Sequence, residues 1–212
     1  MKQSKPIGEP LILEFVPFPF LIGIGVLIVF LIILAGKKYS WFYLFCFSVF
    51  WFYVLIVVSM TIFPIPFPDE INALMTKQRV ASTLSHINFV PFRYLSFFNS
   101  FVIVLEIARN ILLTIPFGFG INWITKVKTK NMIWVATAVG FMIEATQLIV
   151  SLAIAGVYRT VDITDVLLNA VGVLLGYGFF RVFASTYLTT TKHSGTRFET
   201  FTSYLYDISA RG

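Results

Sequence analysis

Five long apolar segments divide the chain, and charged residues are confined mostly to the stretches between them. The segments cover about residues 15–35, 41–63, 101–123, 132–152 and 166–186. Each is close to the roughly 20 apolar residues that an α-helix needs to cross the hydrocarbon core of a bilayer. The pattern therefore predicts an all-α membrane protein, a bundle of five transmembrane helices.

The rest of the chain forms one long loop and one tail. The loop, residues 64–100, contains "FPIPFPDE", whose prolines interrupt any helix, and then "NFVPFRYLSFF". The second stretch is too apolar for a free aqueous loop and too short to span, so we expect an interfacial or re-entrant segment, or a belt of interfacial aromatics. Residues 1–187 should form one transmembrane domain. Residues 188–212 should form a cytoplasmic tail, either disordered or a short amphipathic helix.

Composition excludes a water-soluble globular domain. Of the 212 residues, 58% are hydrophobic and 12% are charged, whereas a soluble domain carries about a quarter charged residues. The mean hydropathy is +0.85. The net charge of +6 lies in short loops and the tail, where basic residues set topology and contact anionic lipid, so we expect no nucleic-acid partner. The single cysteine, Cys46, excludes an internal disulfide.

The orientation of the bundle is predicted by lysines in the short connections. Lys37 and Lys38 follow the first span, and three more lysines join the third and fourth spans. With five spans, these two connections and the tail share one side, which the positive-inside rule makes cytoplasmic. We therefore predict a multi-pass protein with its N-terminus outside and its C-terminus in the cytoplasm.

Three of the predicted spans carry costly polar side chains at helical spacing. A charge at the bilayer centre costs at least about 2.5–3.5 kcal/mol on insertion scales. In each span these side chains share one helix face, and in the predicted topology all lie in the outer half of the membrane. They are Glu106, Arg109 and Asn110 in the third span, Glu144 and Gln147 in the fourth, and Asp162, Asp165 and Asn169 at the start of the fifth, after Arg159.

The shared depth predicts a polar pocket that opens to the outer leaflet, but local explanations stay open. Glu106 and Arg109 could form an internal pair. Asp162 or Asp165 could cap the fifth helix, because carboxylates favour the positive end of a helix dipole. Capping does not explain Asn169, two turns further in. Small residues further along this helix, Gly172 and Gly176, predict close approach of a neighbouring backbone.

Four motifs resemble the VanZ-like family of bacterial membrane proteins. They are "NFVPF", "RNILLTIPFGFG", "IEATQL" and "RTVDITDVLLNAVGVLLGYG", in the family order and with similar spacing, between about Asn88 and Tyr177. The family often has an acidic residue directly before the aspartate matched by Asp165, where this chain has Thr164. The positions matched by the motifs are Asn88, Pro91, Asn110, Pro116, Gly118, Glu144, Gln147, Arg159, Asp162, Asp165, Asn169 and Gly172.

The resemblance implies a protein of the bacterial cell membrane linked to low-level resistance to teicoplanin, a lipid-tailed glycopeptide. For the predicted pocket, the candidate partners are a membrane lipid or a lipid-linked cell-wall precursor, or the glycopeptide itself. It leaves open whether the protein is an enzyme. A purely structural network that locks the bundle is a further alternative.

For an enzyme, the candidate catalytic residues are Glu144 or Asp162 as the base and Asp165 as a metal or proton partner. The cofactor stays open, and grouped carboxylates would accept a divalent cation. For a binding protein, the same pocket would hold a headgroup without turnover. The candidate substrate-binding residues are Asn88, Glu106, Arg109, Asn110, Gln147, Arg159 and Asn169.

Overall fold

The structure is a computed structural model that describes residues 12–66, 77–93, 100–154, 159–194 and 200–209. Within these ranges the chain forms seven α-helices and one minimal strand pair. The helices are α1 (Phe18–Gly36), α2 (Trp41–Ile62), α3 (Lys77–Ser85), α4 (Ser100–Ile124), α5 (Met132–Ala153), α6 (Ile163–Ser194) and α7 (Thr200–Ser209).

The predicted fold class is confirmed. Five helices, α1, α2, α4, α5 and α6, are long and apolar enough to cross a membrane. Helix α6 has 32 residues and runs past the predicted end at residue 186 to Ser194. The prediction stopped where the apolar run stops, but adding a residue to an existing helix costs little once the helix has nucleated. At 1.5 Å per residue, α6 is about 48 Å long, which exceeds a hydrocarbon core of about 30 Å.

A short turn joins the first two helices. Lys38 adopts a positive φ of 60°, and its backbone N–H donates to the carbonyl of Ala35 at 2.9 Å, which closes α1. Ser40 then caps α2, because its hydroxyl accepts from the backbone N–H of Tyr43 at 3.2 Å. The two helices therefore run antiparallel, and the Trp51 indole of α2 donates to the Gly23 carbonyl of α1 at 3.0 Å.

Helices α4 and α6 make the closest contact in the bundle. A Cβ atom on Gly172 would overlap the Thr114 hydroxyl, and one on Gly176 would overlap the Ile115 carbonyl oxygen. The predicted close approach at these two glycines is therefore confirmed. The Thr114 hydroxyl also donates to the carbonyl of Asn169 at 2.8 Å, which ties the two backbones together. Helix α5 packs on the other side of α6, and their buried contact includes Met132, Ala136, Val173, Tyr177, Phe180 and Ala184.

The strand pair was not predicted. β1 (Ile12–Leu13) pairs antiparallel with β2 (Ile65–Pro66), so the residues before α1 lie against the residues after α2. The ring of Phe15 packs edge-on against Phe63, with centroids 5.2 Å apart. This aromatic contact joins two segments that are distant in sequence, which local patterning does not encode.

The loop between α2 and α4 carries α3, which packs against α5. The segment after α3 then pairs with the start of α6, as described below. Residues 67–76 and 94–99, which include part of each predicted loop motif, lie outside the described residues. The interfacial or re-entrant position of this loop stays a prediction.

The tail contains a helix that packs on the protein. In α7, the Tyr204 hydroxyl donates to the carbonyl of Trp123 at 2.9 Å, and Ile208 is fully buried. Tyr39, Lys126 and Tyr204 line one cleft, so the α1–α2 turn, the α4–α5 connection and α7 share one end of the bundle. The side of the membrane that this end faces stays a prediction. The tail residues 195–199 and 210–212 lie outside the described residues.

Candidate polar binding cavity

A polar cavity of about 260 Å³ lies at the opposite end of the bundle, where α2 ends and α6 begins. Helices α2, α4, α5 and α6 and the segment before α6 all contribute to its wall. Seven of the ten predicted site residues line it, and Asn88, Asp162 and Asn169 do not. The lining residues are Met60, Thr61, Glu106, Arg109, Asn110, Leu113, Ile143, Glu144, Gln147, Arg159, Thr160 and Asp165.

The α5 wall of the cavity is made by two buried side chains one turn apart. Glu144 is 3% exposed, and its Oε2 accepts a hydrogen bond from the backbone N–H of Asp162 at 3.1 Å. The Gln147 amide donates to the carbonyl of Thr61 at 3.2 Å. That carbonyl lies in the last turn of α2, where helical donors run out. Both side chains therefore satisfy backbone groups at helix ends.

Asp165 and Asn110 connect the α4 wall of the cavity to its α6 wall. The Asn110 amide of α4 donates to Oδ1 of Asp165 at 2.6 Å. Asp165 lies in the first turn of α6, where the helix dipole stabilises a negative charge. Since both residues line the cavity, this bond fixes the α4 and α6 sides of the site relative to each other.

Asp162 is the N-terminal cap of α6. Its Oδ1 accepts from the backbone N–H of Thr164 at 2.7 Å, and its Oδ2 accepts from the Asn88 amide at 2.7 Å. The capping explanation therefore applies to Asp162, whereas Asp165 faces the cavity one turn later. Both carboxylate oxygens of Asp162 have structural partners, and its backbone N–H holds Glu144. The position of Glu144 thus depends on this cap.

The segment after α3 is joined to the start of α6 by a short parallel bridge. The Asn88 N–H donates to the Val161 carbonyl at 2.8 Å, and the Ile163 N–H donates to the Asn88 carbonyl at 3.0 Å. The Asn88 side chain also accepts from the Val90 N–H at 3.1 Å, which holds the loop in an Asx turn. Asn88 therefore orders the segment after α3 and ties it to the start of α6 without lining the cavity.

Thr164 is a structural neighbour of the cavity that the sequence pattern did not single out as a site residue. In the sequence, Thr164 stands out only as a departure from the family pattern. It is fully buried, and its hydroxyl accepts from the backbone N–H of Phe92 at 2.9 Å. A hydroxyl can accept this bond without bringing a third carboxylate beside Asp162 and Asp165. The available signal was its place between two aspartates in "DITD".

The arginines and Asn169 occupy different environments. Arg159 donates through Nη2 to the carbonyl of Met60 at 3.4 Å, near the end of α2. Arg109 is exposed and lines the cavity together with Glu106. Asn169 is 1% exposed, and its Oδ1 has no hydrogen-bond partner among the described residues. Its backbone carbonyl accepts from the Thr114 hydroxyl.

The charged residues of the cavity wall are three carboxylates and two guanidinium groups. Among the described residues, no group of three or more His, Cys, Asp or Glu side chains is arranged to hold a metal ion. A divalent cation at this site stays a prediction, and amide oxygens or a phosphate from a ligand would have to complete its coordination.

The comparison with known families decides the assignment. The family model described as VanZ/LLP1 matches residues 50–184. The chain belongs to the VanZ/LLP1 family. The match runs from the middle of α2 into α6, so it includes every residue of the cavity wall and leaves out α1 and α7. No curated protein and no solved structure gives a significant match to this chain.

Proposed function

We propose that this VanZ/LLP1 membrane protein contributes to resistance to teicoplanin-type glycopeptides by binding a lipid-linked envelope component. The headgroup would be held in the polar cavity, at the outer face of the bacterial cell membrane. One observation carries the proposal: four membrane helices and the Arg159 segment bring carboxylate, guanidinium and amide groups to one cavity. Intramembrane ionisable groups are costly, and those that face a shared cavity mark ligand or ion sites by default.

The charge balance of the cavity favours a headgroup that carries both signs. Arg109 and Arg159 can donate to a phosphate, and guanidinium–phosphate hydrogen bonds are among the strongest in proteins. Glu144 and Asp165 can accept from an amine or hydroxyl. With three carboxylates against two guanidinium groups, a ligand that is only anionic would leave acidic side chains without a counter-charge in a membrane-facing site.

The hydrogen bonds favour binding over covalent chemistry. Asp162, one of the candidate bases, is engaged through both carboxylate oxygens as a helix cap and as the partner of Asn88. His86 lies outside the cavity wall, and its ring is bonded to the carbonyl of Ser82 at 2.7 Å. A second candidate function is group transfer on the same headgroup. It rests on Glu144 and Asp165, which line one cavity and would act as base and acid.

The test is the isosteric variant Glu144→Gln. Glutamine keeps an oxygen that can accept from the Asp162 N–H, so the backbone contact can persist while the charge is lost. We expect teicoplanin susceptibility to rise to the level of cells without the protein, while its abundance in the membrane stays near wild type. The matched control is Glu14→Gln, because Glu14 is exposed and does not line the cavity.

Two results would contradict this proposal. If Glu144→Gln keeps full resistance, the charge has no ligand and the cavity only holds the bundle together. If resistance and abundance fall in parallel, the residue supports folding instead. Incubating the purified protein with lipid-linked precursors and analysing them by mass spectrometry separates binding from group transfer, because only transfer yields a new product.

A further inference from the structure

A second, apolar groove of about 440 Å³ lies along the same α2–α4 cleft as the polar cavity. Its α2 wall spans residues 45–53 and its α4 wall spans residues 115–123. Eight residue steps at 1.5 Å make each wall about 12 Å long. The full lining is Phe45, Cys46, Val49, Phe50, Tyr53, Ile115, Pro116, Phe119, Gly120, Trp123 and Phe179.

The groove and the polar cavity are neighbours, because a residue that lines the groove contacts a residue that lines the cavity. On α4, Leu113 lines the cavity and Ile115 lines the groove, about 3 Å apart along the helix axis and roughly 200° apart around it. On α2, Tyr53 lines the groove and Met60, two turns later, lines the cavity. The Tyr53 hydroxyl donates to the carbonyl of Leu113 at 2.7 Å, so Tyr53 stands at the junction of the two spaces.

The far end of the groove lies beside the docked helix α7. Trp123 lines this end, and its carbonyl accepts from the Tyr204 hydroxyl of α7. Helix α2 packs on α4 much less closely than α6 does, so the cleft stays open along its side. The α2–α4 cleft is thus polar at one end, apolar along its length, and bounded by α7 at the other end.

We propose that this groove holds a hydrocarbon chain of the membrane lipid whose headgroup occupies the polar cavity. The inference rests on the proposed function and adds that the ligand is an amphiphile bound through both parts. The groove wall is made mainly of aromatic and aliphatic side chains, with the Cys46 thiol and the Trp123 indole among them, and the hydroxyl of Tyr53 is already bonded. An amphiphile matches an apolar groove that lies next to a charged cavity, because charged groups need polar partners and a hydrocarbon chain does not.

The probe is a phosphatidylethanolamine with a photoreactive diazirine in one acyl chain. Its headgroup carries a phosphate and an amine, which match the mixed charge of the cavity. The full-length protein would be placed in nanodiscs of phosphatidylcholine with a trace of this probe, irradiated, and mapped by peptide mass spectrometry. We expect labels on the groove peptides around Val49 and Phe119.

Two variants test the two parts of the site. Val49→Trp fills the groove and should lower groove labelling about tenfold, which corresponds to about 1.4 kcal/mol. Arg109→Gln removes a phosphate partner from the cavity and should also lower groove labelling. The matched control is Val29→Trp, because Val29 of α1 and Val49 of α2 are 55% and 54% exposed and lie at similar depth on antiparallel helices.

The outcomes separate this inference from the proposed function. Equal labelling in Val49→Trp and wild type would overturn the groove assignment, and so would a second copy of the chain cross-linked into the groove. Equal loss in Val29→Trp and Val49→Trp would mean that the label reports surrounding bilayer lipid only. If Val49→Trp loses the label and Arg109→Gln keeps it, the chain binds without the headgroup, which contradicts the proposed function of the cavity.

Discussion

The Asn88–Asp162 hydrogen bond allows a sharp test of how the loop orders the site. In Asp162→Asn the oxygen that accepts from Thr164 can be kept, because asparagine caps a helix as well as aspartate does. The new amide nitrogen then faces the Asn88 amide nitrogen. Two donors thus replace the 2.7 Å hydrogen bond from the Asn88 amide to the Asp162 carboxylate. Rotating the Asn88 amide does not repair this, because its oxygen accepts from the Val90 N–H at 3.1 Å.

The expected cost is that of one hydrogen bond to a charged group, about 1.5–3 kcal/mol. It should appear locally, as easier opening of the bridge between the loop and α6. At 1.36 kcal/mol per factor of ten, the N–H groups of Asn88 and Ile163 should exchange with deuterium about 10- to 150-fold faster. Both donate across this bridge in the wild type. Hydrogen exchange of the purified protein, read by mass spectrometry on the peptides that contain Asn88 and Ile163, measures the effect.

The reciprocal pair Asn88→Asp with Asp162→Asn completes the cycle. Asn88→Asp alone places two carboxylates face to face and should also open the bridge. Together the two changes restore one amide donor and one carboxylate acceptor with the roles exchanged, so exchange in the double variant should be slower than the two single effects predict. Exchange at the wild-type rate in Asp162→Asn, or strictly additive effects in the double variant, would falsify this account of the cap.

Three further predictions concern the bundle and its orientation. Gly176→Ala should lower the free energy of unfolding by about 1–3 kcal/mol in SDS titration, since the new Cβ meets a backbone carbonyl of α4. Gly178→Ala is the control on the same helix and should not lower it, because a Cβ at this position meets nothing within 4 Å. With the native cysteine replaced, Arg159→Cys should react with an impermeant thiol reagent in intact cells and Lys128→Cys should not; the reverse result would contradict the outer cavity. Tyr204→Phe removes the bond from α7 to Trp123 and should speed proteolysis of α7 while leaving the protein's abundance unchanged.

The sequence by itself determines the features that belong to a single helix. The bilayer sets the length and apolarity of a span, so five runs of about 20 residues predict five helices without any knowledge of their neighbours. Helical periodicity likewise predicts that Glu144 and Gln147 share a face. The glycines at 172 and 176 mark a close contact, although they do not name α4 as the partner.

The tertiary structure decided what depends on the rotation and axial position of one helix against another. Asp162 and Asp165 look alike in sequence, yet one caps α6 and bonds Asn88, 74 residues away, while the other faces the cavity. The apolar groove likewise depends on how α2 packs against α4, because Val49 and Phe119 carry no local sign that they share a cleft. Small differences in side-chain packing set these relations, and a pattern read along a single helix does not contain them.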